Sequence, residues 1–248
     1  MTDKLFGLIG YPLSHSFSKK YFTNKFEEEG ISNSSYELFE LENIETLPKI
    51  LKQHPNLRGM NVTIPHKQQV MRYLDELDAS AKQVGAVNTV KFAGNKRIGY
   101  NTDYYGFKES LQHWLGTANI SKALILGTGG ASRAVKCALY AMEIEYLLVS
   151  RKSSEHTISY EQLRSDHQLG DYPLIINSTP LGMSPNLDTF PDIPYEQIST
   201  QHFCYDLVYN PEVTTFMKKA EENGATAKNG LEMLHLQAEK SWEIWNED

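Results

Sequence analysis

The most constraining feature of this sequence is a glycine-rich turn inside an alternation of strand-like and helical segments. An apolar run over 122–126 leads into "GTGG" (127–130), a helical pattern begins near Ala131, and a second apolar run ends near Val149. Such a turn lets the backbone approach a pyrophosphate, whose charge the helix N-terminus attracts. Ser132 replaces the third glycine of the usual fingerprint but is also small. The unit predicts a Rossmann-like dinucleotide-binding domain, with phosphate contacts from Gly127, Thr128, Gly129, Gly130 and Ala131.

The residues after the second strand of this unit select between NAD and NADP. An NAD enzyme usually places Asp or Glu there to bind the ribose hydroxyls, whereas this chain has Ser150, Arg151 and Lys152. No carboxylate would repel a 2′-phosphate, two cations would attract it, and the guanidinium of Arg151 can stack on adenine. The basic cluster is short, because 153–155 read "SSE", and a solvated loop tip is the alternative. We predict NADP(H) as the cofactor, with Ser150, Arg151 and Lys152 in its site.

The remainder of the chain alternates in the same way. Strand-like runs at 5–10, 35–41 and 57–64 are separated by amphipathic segments, and a further amphipathic segment covers 66–78. This rhythm predicts an α/β fold in which the sheets are mostly parallel.

The same pattern predicts two domains. Apolar residues recur at helical spacing near 104–115 and again in the last segment of the chain. We therefore divide the chain into a substrate-binding and catalytic domain, 1–103 plus 231–248, and a Rossmann-like NADP domain, 104–230. In this division the C-terminal helix returns to the substrate domain.

Charge and composition narrow the classes of partner. The net charge of −7 argues against nucleic acid, which would require a basic face. No apolar run approaches the length of a membrane span, and the first ten residues do not resemble a signal peptide. We expect a cytoplasmic protein that acts on a small molecule, without nucleic-acid or membrane partners, as a monomer or a homodimer.

Cysteine and histidine usage predicts no metal site. The two cysteines, Cys137 and Cys204, are far apart in apolar contexts, which favours burial in the core of a protein from a reducing compartment. His15 and His66 are not spaced as metal ligands, and structural roles are favoured for both.

Four polar segments are candidates for substrate binding and chemistry: 10–16, 61–67, 85–89 and 99–103. Ligands of parallel sheets bind beyond the carboxyl ends of strands, where we expect these segments to lie. Hydride transfer from a nicotinamide also requires a group that donates or accepts a proton. Lys67, directly after the strand and Pro65, is such a group; a solvated lysine at the start of a helix is the alternative.

These segments, taken in order, resemble the shikimate dehydrogenases, which reduce 3-dehydroshikimate with NADPH. The resemblance runs over essentially the full length, through residues 10–16, 61–67, 85–89, 101–103, the glycine turn, 177–183, 205–209, 230–234 and Gln237. It implies reversible reduction of 3-dehydroshikimate to shikimate, a step in chorismate and aromatic amino acid biosynthesis. It also implies that Lys67 and Asp103 are the catalytic pair, with Lys67 as the acid/base and Asp103 orienting it.

The resemblance also implies a substrate site rich in directional polar groups, because shikimate has one carboxylate and three hydroxyls. Hydroxyls would bind the carboxylate, and side-chain amides, with both donors and acceptors, would bind the ring hydroxyls. The residues so assigned are Ser14, Ser16, Asn61, Thr63, Asn88, Tyr209 and Gln237. Without the resemblance, the two serines are more typical of a turn and the glutamine of a solvated helix face, whereas Asn88 is equally typical of a turn and the tyrosine is also common in packing.

On the cofactor side, the resemblance adds Thr179, Met183, Gly230 and Met233, with the two methionines beside the nicotinamide. Core filling is the alternative for the methionines. The chain departs from the family at Lys19, where proline is usual, and at Phe22 and Thr23, where a His-Asn pair is usual. These departures concern the packing of a helix more than the chemistry.

Two other functions are considered. A dual-specificity quinate/shikimate dehydrogenase would accept an added hydroxyl at the carbon that bears the carboxylate. A non-catalytic NADP-sensing protein would retain the glycine turn and lose the acid/base pair. The retained Thr63 and the Arg151 loop favour the strict NADPH enzyme over the dual-specificity enzyme, and the retained Lys67 and Asp103 argue against the sensor.

Overall fold

A computed structural model describes residues 3–14, 16–166 and 169–247 of the chain. His15, for which a structural role was expected, lies outside the described residues. The chain forms two compact units, Met1–Thr102 with Gln237–Asp248, and Asp103–Leu236. The sequence placed the two boundaries after residues 103 and 230.

The strands and helices follow one another in an α/β order. The strands are β1 (Lys4–Gly10), β2 (Ser34–Glu40), β3 (Leu57–Val62), β4 (Glu76–Leu77), β5 (Thr89–Ala93), β6 (Lys96–Tyr100), β7 (Lys122–Leu126), β8 (Glu145–Ser150), β9 (Thr157–Ser159), β10 (Leu174–Asn177), β11 (Phe203–Asp206) and β12 (Thr226–Lys228). The helices are α1 (Phe17–Glu28), α2 (Leu47–Gln53), α3 (Ala79–Val84), α4 (Thr102–Leu115), α5 (Gly130–Ala141), α6 (Tyr160–Ser165), α7 (Thr215–Glu222) and α8 (Leu231–Asn246).

The first unit is built on a six-stranded sheet in the order β2-β1-β3-β5-β6-β4. β1 pairs in parallel with β2 and β3, whereas β5 is antiparallel to β3 and forms a hairpin with β6. β1, β2, β3 and β6 therefore end at one edge of the sheet, where β5 begins. We call this edge the carboxyl edge of the first sheet.

Alternating residues of β1 fill two cores, as the period of two in a strand requires. Phe6 packs with Phe22 and Trp245 on one face, while Ile9 packs with Met60 on the other. The indole of Trp245 also donates a hydrogen bond to the carbonyl of Val90 (3.0 Å), a contact that ties α8 to the middle of the sheet.

The amphipathic segment 66–78 contains a 3₁₀ turn, Gln69–Tyr73, and the two-residue strand β4 instead of a long helix. Contacts with β6 explain the difference. The carboxylate of Asp75 accepts hydrogen bonds from the backbone N–H (2.8 Å) and the guanidinium Nε (2.9 Å) of Arg97. Tertiary pairing outweighs helical periodicity here.

The second unit is built on a fully parallel sheet in the order β12-β11-β10-β7-β8-β9. Numbered within the unit, this is the doubly wound Rossmann order. The central strands β7 and β10 are buried on both faces, and Cys204 on β11 is part of the core, whereas Cys137 on α5 is half-buried. Together, the two sheets confirm the predicted α/β class.

Within the ranges that the structure describes, no helix has the length and apolar character needed to cross a membrane.

Candidate active site

The carboxyl edge of the first sheet collects the polar segments that the sequence singled out. Thr63 follows β3, and Thr102 follows β6 at the start of α4. The segment 85–89 was expected after a strand, but it precedes β5. It still reaches this edge, because β5 runs antiparallel to β3 and so begins where β3 ends.

Asn61, at the end of β3, is buried and almost fully hydrogen-bonded. Its Oδ1 accepts from the hydroxyl of Tyr36 (2.8 Å). Its Nδ2 lies near the hydroxyls of Thr89 (3.2 Å) and Ser241 (3.1 Å) and the carbonyl of Asn88 (3.3 Å), which occupy both amide hydrogens. The group that Asn61 can still offer a ligand is the second lone pair of Oδ1.

Asn88 is the centre of a second set of contacts. Its Oδ1 accepts the backbone N–H of Thr102 (2.7 Å), at the start of α4. Its Nδ2 donates to the hydroxyl of Thr102 (3.0 Å) and lies 3.4 Å from Oε1 of Gln237, on α8. Asn88 therefore joins two helices to the strand edge, and it brings Gln237 to the same edge.

Ser241 connects these contacts, although the sequence analysis did not single it out. Its fully buried hydroxyl lies 2.8 Å from that of Thr89 and 3.2 Å from that of Thr102, and it donates to the carbonyl of Gln237 (2.9 Å). A signal was present in the sequence: Ser241 is a small polar residue within the apolar stripe of the last helix. We call Tyr36, Asn61, Asn88, Thr89, Thr102, Gln237 and Ser241 the buried polar network.

Lys67 is half-buried just beyond β3. Its carbonyl accepts the N–H of Val87 (2.8 Å), in the segment that leads to Asn88. The preceding residue, His66, is fully buried, with Nε2 2.6 Å from the carbonyl of Leu41. This arrangement gives His66 a structural role that holds the segment bearing Lys67.

Asp103 occupies the first turn of α4, directly after Thr102. The backbone N–H of Thr102 is bound by Asn88, so the buried polar network also sets where this turn begins. Asp103 belongs to the second unit in the division by compactness, while Lys67 belongs to the first.

Ser14 and Ser16 lie on the loop between β1 and α1. Ser14 is exposed. The Oγ of Ser16 is buried and has no hydrogen-bond partner among the described residues. A buried hydroxyl without a partner costs free energy, so Ser16 retains a donor and acceptor for a ligand.

The glycine turn of the second unit joins β7 to α5. Gly127 has φ +102°, and a Cβ there would lie 2.8 Å from Cγ2 of Thr179, so both conformation and packing require glycine. Gly129 and Gly130 differ, since a Cβ on either would meet no protein atom within 4 Å. Neither has a positive φ. Nothing among the described residues explains these two glycines, whereas a ligand against the turn would.

The N-terminus of α5 is suited to an anion. The N-cap is Gly129, which has no side chain to cap the helix, and the first turn contains no acidic residue. The first backbone N–H groups are consequently available to a phosphate, together with the positive end of the helix dipole. Arg133, an exposed cation in the same turn, was missed by the sequence analysis.

The residues predicted to bind a 2′-phosphate follow β8. Ser150 ends the strand and is half-buried, and Arg151 and Lys152 are exposed. Arg151 lies close enough to Tyr160 to oppose the effect of burial, which raises the pKa of that phenol to about 12.

Asp206, fully buried at the end of β11, organises the loops beside the glycine turn. Its carboxylate accepts from Nδ2 of Asn177 (2.9 Å), the hydroxyl of Thr214 (2.6 Å) and the N–H of Val208 (3.0 Å). Burial raises its pKa to about 6 against the opposing effect of these three donors. In turn, Oδ1 of Asn177 accepts the hydroxyl of Thr179 (2.6 Å).

The remaining cofactor and substrate candidates of this unit have different surroundings. Met183 is 45% exposed, whereas Met233 packs against an apolar cluster. Burial raises the pKa of the half-buried Tyr209. A Cβ on Gly230 would lie 2.3 Å from the carbonyl oxygen of Leu207, so packing within the chain requires this glycine.

The fold and these two sets of side chains define a class: two-domain α/β oxidoreductases that use a nicotinamide dinucleotide. One set surrounds a lysine at the carboxyl edge of an α/β sheet, and the other surrounds an uncapped glycine turn in a Rossmann sheet. Among the described residues, no group of three or more His, Cys, Asp or Glu side chains could hold a metal ion.

Comparisons with known proteins identify the family within this class. Residues 8–90 match the shikimate dehydrogenase substrate binding domain. Shikimate dehydrogenase (NADP(+)) of Methanococcus aeolicus is 38% identical over 256 residues, 98% of this chain and 91% of that protein. The protein of the same name from Clostridium beijerinckii is 39% identical over 254 residues, 98% of this chain and 92% of its own length.

A solved structure agrees with these relatives. Shikimate 5-dehydrogenase of Thermus thermophilus, in complex with NADP(H) and shikimate, is 30% identical, with a TM-score of 0.85 over 98% of this chain and 93% of that chain. The chain belongs to the shikimate dehydrogenase family. The resemblance seen in its motifs is thereby confirmed.

Proposed function

We propose that this protein catalyses the reversible, NADPH-dependent reduction of 3-dehydroshikimate to shikimate. The observation that carries the proposal is the buried polar network, which presents fixed side-chain amides at the sheet edge beside Lys67. A small ring with several hydroxyls requires such directional groups in fixed orientations.

We assign substrate binding to the first unit, as the sequence division 1–103 plus 231–248 proposed. The hydroxyls of Ser14 and Ser16 donate to the substrate carboxylate, and Thr63 lies beside them. Asn88, Gln237 and the remaining lone pair of Asn61 bind ring hydroxyls, with Tyr209 as a further contact. The support is the unpartnered Ser16 Oγ and the fixed orientation of the amides.

The cofactor is assigned to the second unit, 104–230 in the sequence division. Backbone N–H groups of 127–131 hold the pyrophosphate, and Ser150, Arg151 and Lys152 hold the 2′-phosphate and adenosine. Thr179, Met183, Gly230 and Met233 flank the nicotinamide. The support is the glycine N-cap of α5 and the two glycines that nothing among the described residues requires.

In the mechanism that follows, NADPH, when bound, supplies a hydride to the carbonyl carbon of 3-dehydroshikimate. The ammonium of Lys67 donates a hydrogen bond to the carbonyl oxygen and transfers its proton as negative charge develops there. In the oxidative direction Lys67 accepts the hydroxyl proton or relays it to water. Asp103 orients the ammonium. After reduction the neutral Lys67 regains a proton from water, so that protons and charge balance over the cycle.

The experiment that tests this function is an absorbance assay of cofactor reduction by the purified protein. Four pairs are compared: shikimate or quinate, each with NADP⁺ or NAD⁺. Reaction with shikimate and NADP⁺ at a kcat/KM far above the other pairs supports the proposal. Comparable rates with quinate or NAD⁺ would support the dual-specificity alternative, and inactivity despite NADP binding would support the sensor. The cytoplasmic location and the choice of monomer or homodimer stay predictions.

A further inference from the structure

The loop that carries Ser14 and Ser16 is tethered by a neighbouring segment, residues 40–42, at the end of β2. The backbone N–H of Leu41 donates to the carbonyl of Gly10 (3.0 Å). The carboxylate Oε1 of Glu40 accepts the backbone N–H of Leu13 (2.7 Å). Three consecutive residues, 40–42, therefore hold the loop, because Glu42 also accepts a hydrogen bond from Tyr11, which raises the pKa of that phenol.

The backbone N–H of Leu13 is bound by the side chain of Glu40 and not by a backbone carbonyl. Pro12 has no N–H to donate. The residue that binds the N–H of Leu13 ends β2, whereas the side chain of Leu13 is buried in the core of the first unit. Leu13 is thus held at both its backbone and its side chain, immediately before Ser14.

The same residue also controls the start of α1. The carbonyl of Leu13 accepts the N–H of Ser16 (3.1 Å), and Ser16 is the N-cap of α1. Ser16 Oγ makes no capping hydrogen bond, so its direction is set by the loop backbone rather than by the helix. A displacement of Leu13 would therefore move both Ser14 and Ser16.

We propose that Glu40 is a positioning residue for the substrate carboxylate, and that it acts by holding Leu13 so that Ser14 and Ser16 keep their geometry. This inference rests on the proposed function, which places those serines at the carboxylate. The charge of Glu40 works against the binding of an anion. Its benefit must therefore come from the hydrogen bond that its carboxylate oxygen accepts from Leu13.

Two substitutions of Glu40 separate the effect of its hydrogen bond from the effect of its charge. Glu40→Ala removes both the acceptor and the charge. The loop then holds Ser14 and Ser16 in the binding geometry for only a fraction of the time, and the apparent affinity for shikimate falls in proportion to that fraction. Glu40→Gln retains an acceptor oxygen and removes the charge. A matched control is Glu37→Ala, which removes an exposed carboxylate of the same strand whose partner is Lys19 (2.6 Å).

The experiment measures KM for shikimate, kcat and KM for NADP⁺ in the three variants and the parent protein, with shikimate affinity measured separately by calorimetry. We expect Glu40→Ala to raise KM and Kd for shikimate about tenfold or more, with kcat and KM for NADP⁺ changed by less than about twofold. Glu40→Gln and Glu37→Ala are expected to stay within about threefold of the parent in every parameter.

Several outcomes would overturn the inference. Unchanged shikimate affinity in Glu40→Ala would do so, as would a Glu40→Gln variant as weak as Glu40→Ala, since charge would then be responsible. Parallel loss of NADP⁺ affinity and of melting temperature would indicate a merely structural role. If the parent protein neither oxidises nor binds shikimate, the proposed function and this inference are both refuted. If it binds shikimate without oxidising it, the comparison of Kd between the parent and Glu40→Ala still tests the role of Glu40.

Discussion

The carboxyl edges of the two sheets differ in how their polar groups are held. In the first sheet, the amides of Asn61 and Asn88 are 6% and 3% exposed, and their donors are already hydrogen-bonded within the protein. In the second, Gly129 and Gly130 face open space and Met183 is nearly half exposed. The small substrate requires a preorganised set of directional groups, whereas the long cofactor requires room along a backbone.

This difference also has an energetic side. Ordering side chains in advance lowers the entropy cost of binding, which matters most for a ligand with few atoms. A dinucleotide makes many contacts and can order exposed cations such as Arg151 on binding. Substitutions at each edge test this contrast between a preorganised substrate site and an open cofactor site.

The largest expected effect is on turnover. Lys67→Ala should lower kcat for shikimate oxidation by about 10²- to 10⁴-fold, because no other assigned group replaces its proton transfer. Affinity for NADP⁺, measured by calorimetry, should change by less than about twofold if the two edges bind their ligands independently. Lys82→Ala, an exposed lysine of α3, is the control. A raised KM with unchanged kcat would make Lys67 a binding residue.

The second effect is a dependence of the free energy of unfolding on pH. It comes from Asp206, which is buried at the carboxyl edge of the second sheet. Its pKa of about 6 lies above the usual 3.8, so the proton favours the folded state. The contribution is complete below pH 3.8 and is lost as the pH rises through about 6, for a total of about 3 kcal/mol.

Urea denaturation between pH 4 and pH 7 measures this term. Asp206→Asn should be less stable than the parent at every pH, since its amide would place a donor against Asn177, Val208 or Thr214. The difference in free energy of unfolding should shrink as the pH rises, because only the parent loses the proton. The exposed Asp188→Asn is the control. A difference that grows with pH would contradict the raised pKa of Asp206.

The third effect concerns the rigidity of the first edge. Ser241→Ala removes the hydroxyl shared by Asn61, Thr89 and Thr102 and should lower the free energy of unfolding by about 2 kcal/mol, the cost of buried groups left unpaired. KM for shikimate should rise with it, while KM for NADP⁺ stays constant. Ser165→Ala, on an exposed turn of α6, should change neither. An unaffected KM for shikimate would show that the network stabilises the fold without orienting the substrate.

The smallest effect separates two glycines of one turn. Gly130→Ala should leave the melting temperature unchanged but weaken NADP⁺ binding by about tenfold, because its Cβ would enter the space proposed for phosphate. Gly127→Ala should instead destabilise the protein by about 1–2 kcal/mol through its positive φ and the nearby Thr179. Scanning calorimetry with and without NADP⁺ distinguishes them. Equal losses of stability would remove the argument that Gly130 makes room for a ligand.

Local patterns in the sequence were reliable where the structure depends on neighbouring residues. The strand over 122–126, the glycine turn and the start of the next helix were predicted within one residue, because turn conformation and helix initiation are local properties. The long helix beginning near 104 was also predicted. The short edge strands β9 and β12 were missed, because three residues carry too little periodicity.

Long-range pairing caused the remaining differences. The segment 66–78 has helical periodicity, yet Asp75 pairs with Arg97 and extends the chain along β6. Segment 85–89 lies at the predicted edge because β5 runs antiparallel to β3. The composition of β5 did not distinguish an antiparallel strand from a parallel one. Ser241, which no motif marked, and Thr102, which lies in the segment 101–103 but was assigned no role, became part of the network because α4 and α8 meet the strand ends.

By itself, the sequence determined the α/β class, the glycine turn, its family and the candidate side chains, because these depend on residue type and local order. Only the tertiary structure decided that the amide donors of Asn61 and Asn88 are already hydrogen-bonded within the protein, that Ser16 Oγ has no partner among the described residues, and that Glu40 holds Leu13. The reason is physical: a hydrogen bond depends on distances of a few tenths of an ångström between residues far apart in the chain, and only the packed fold sets those distances.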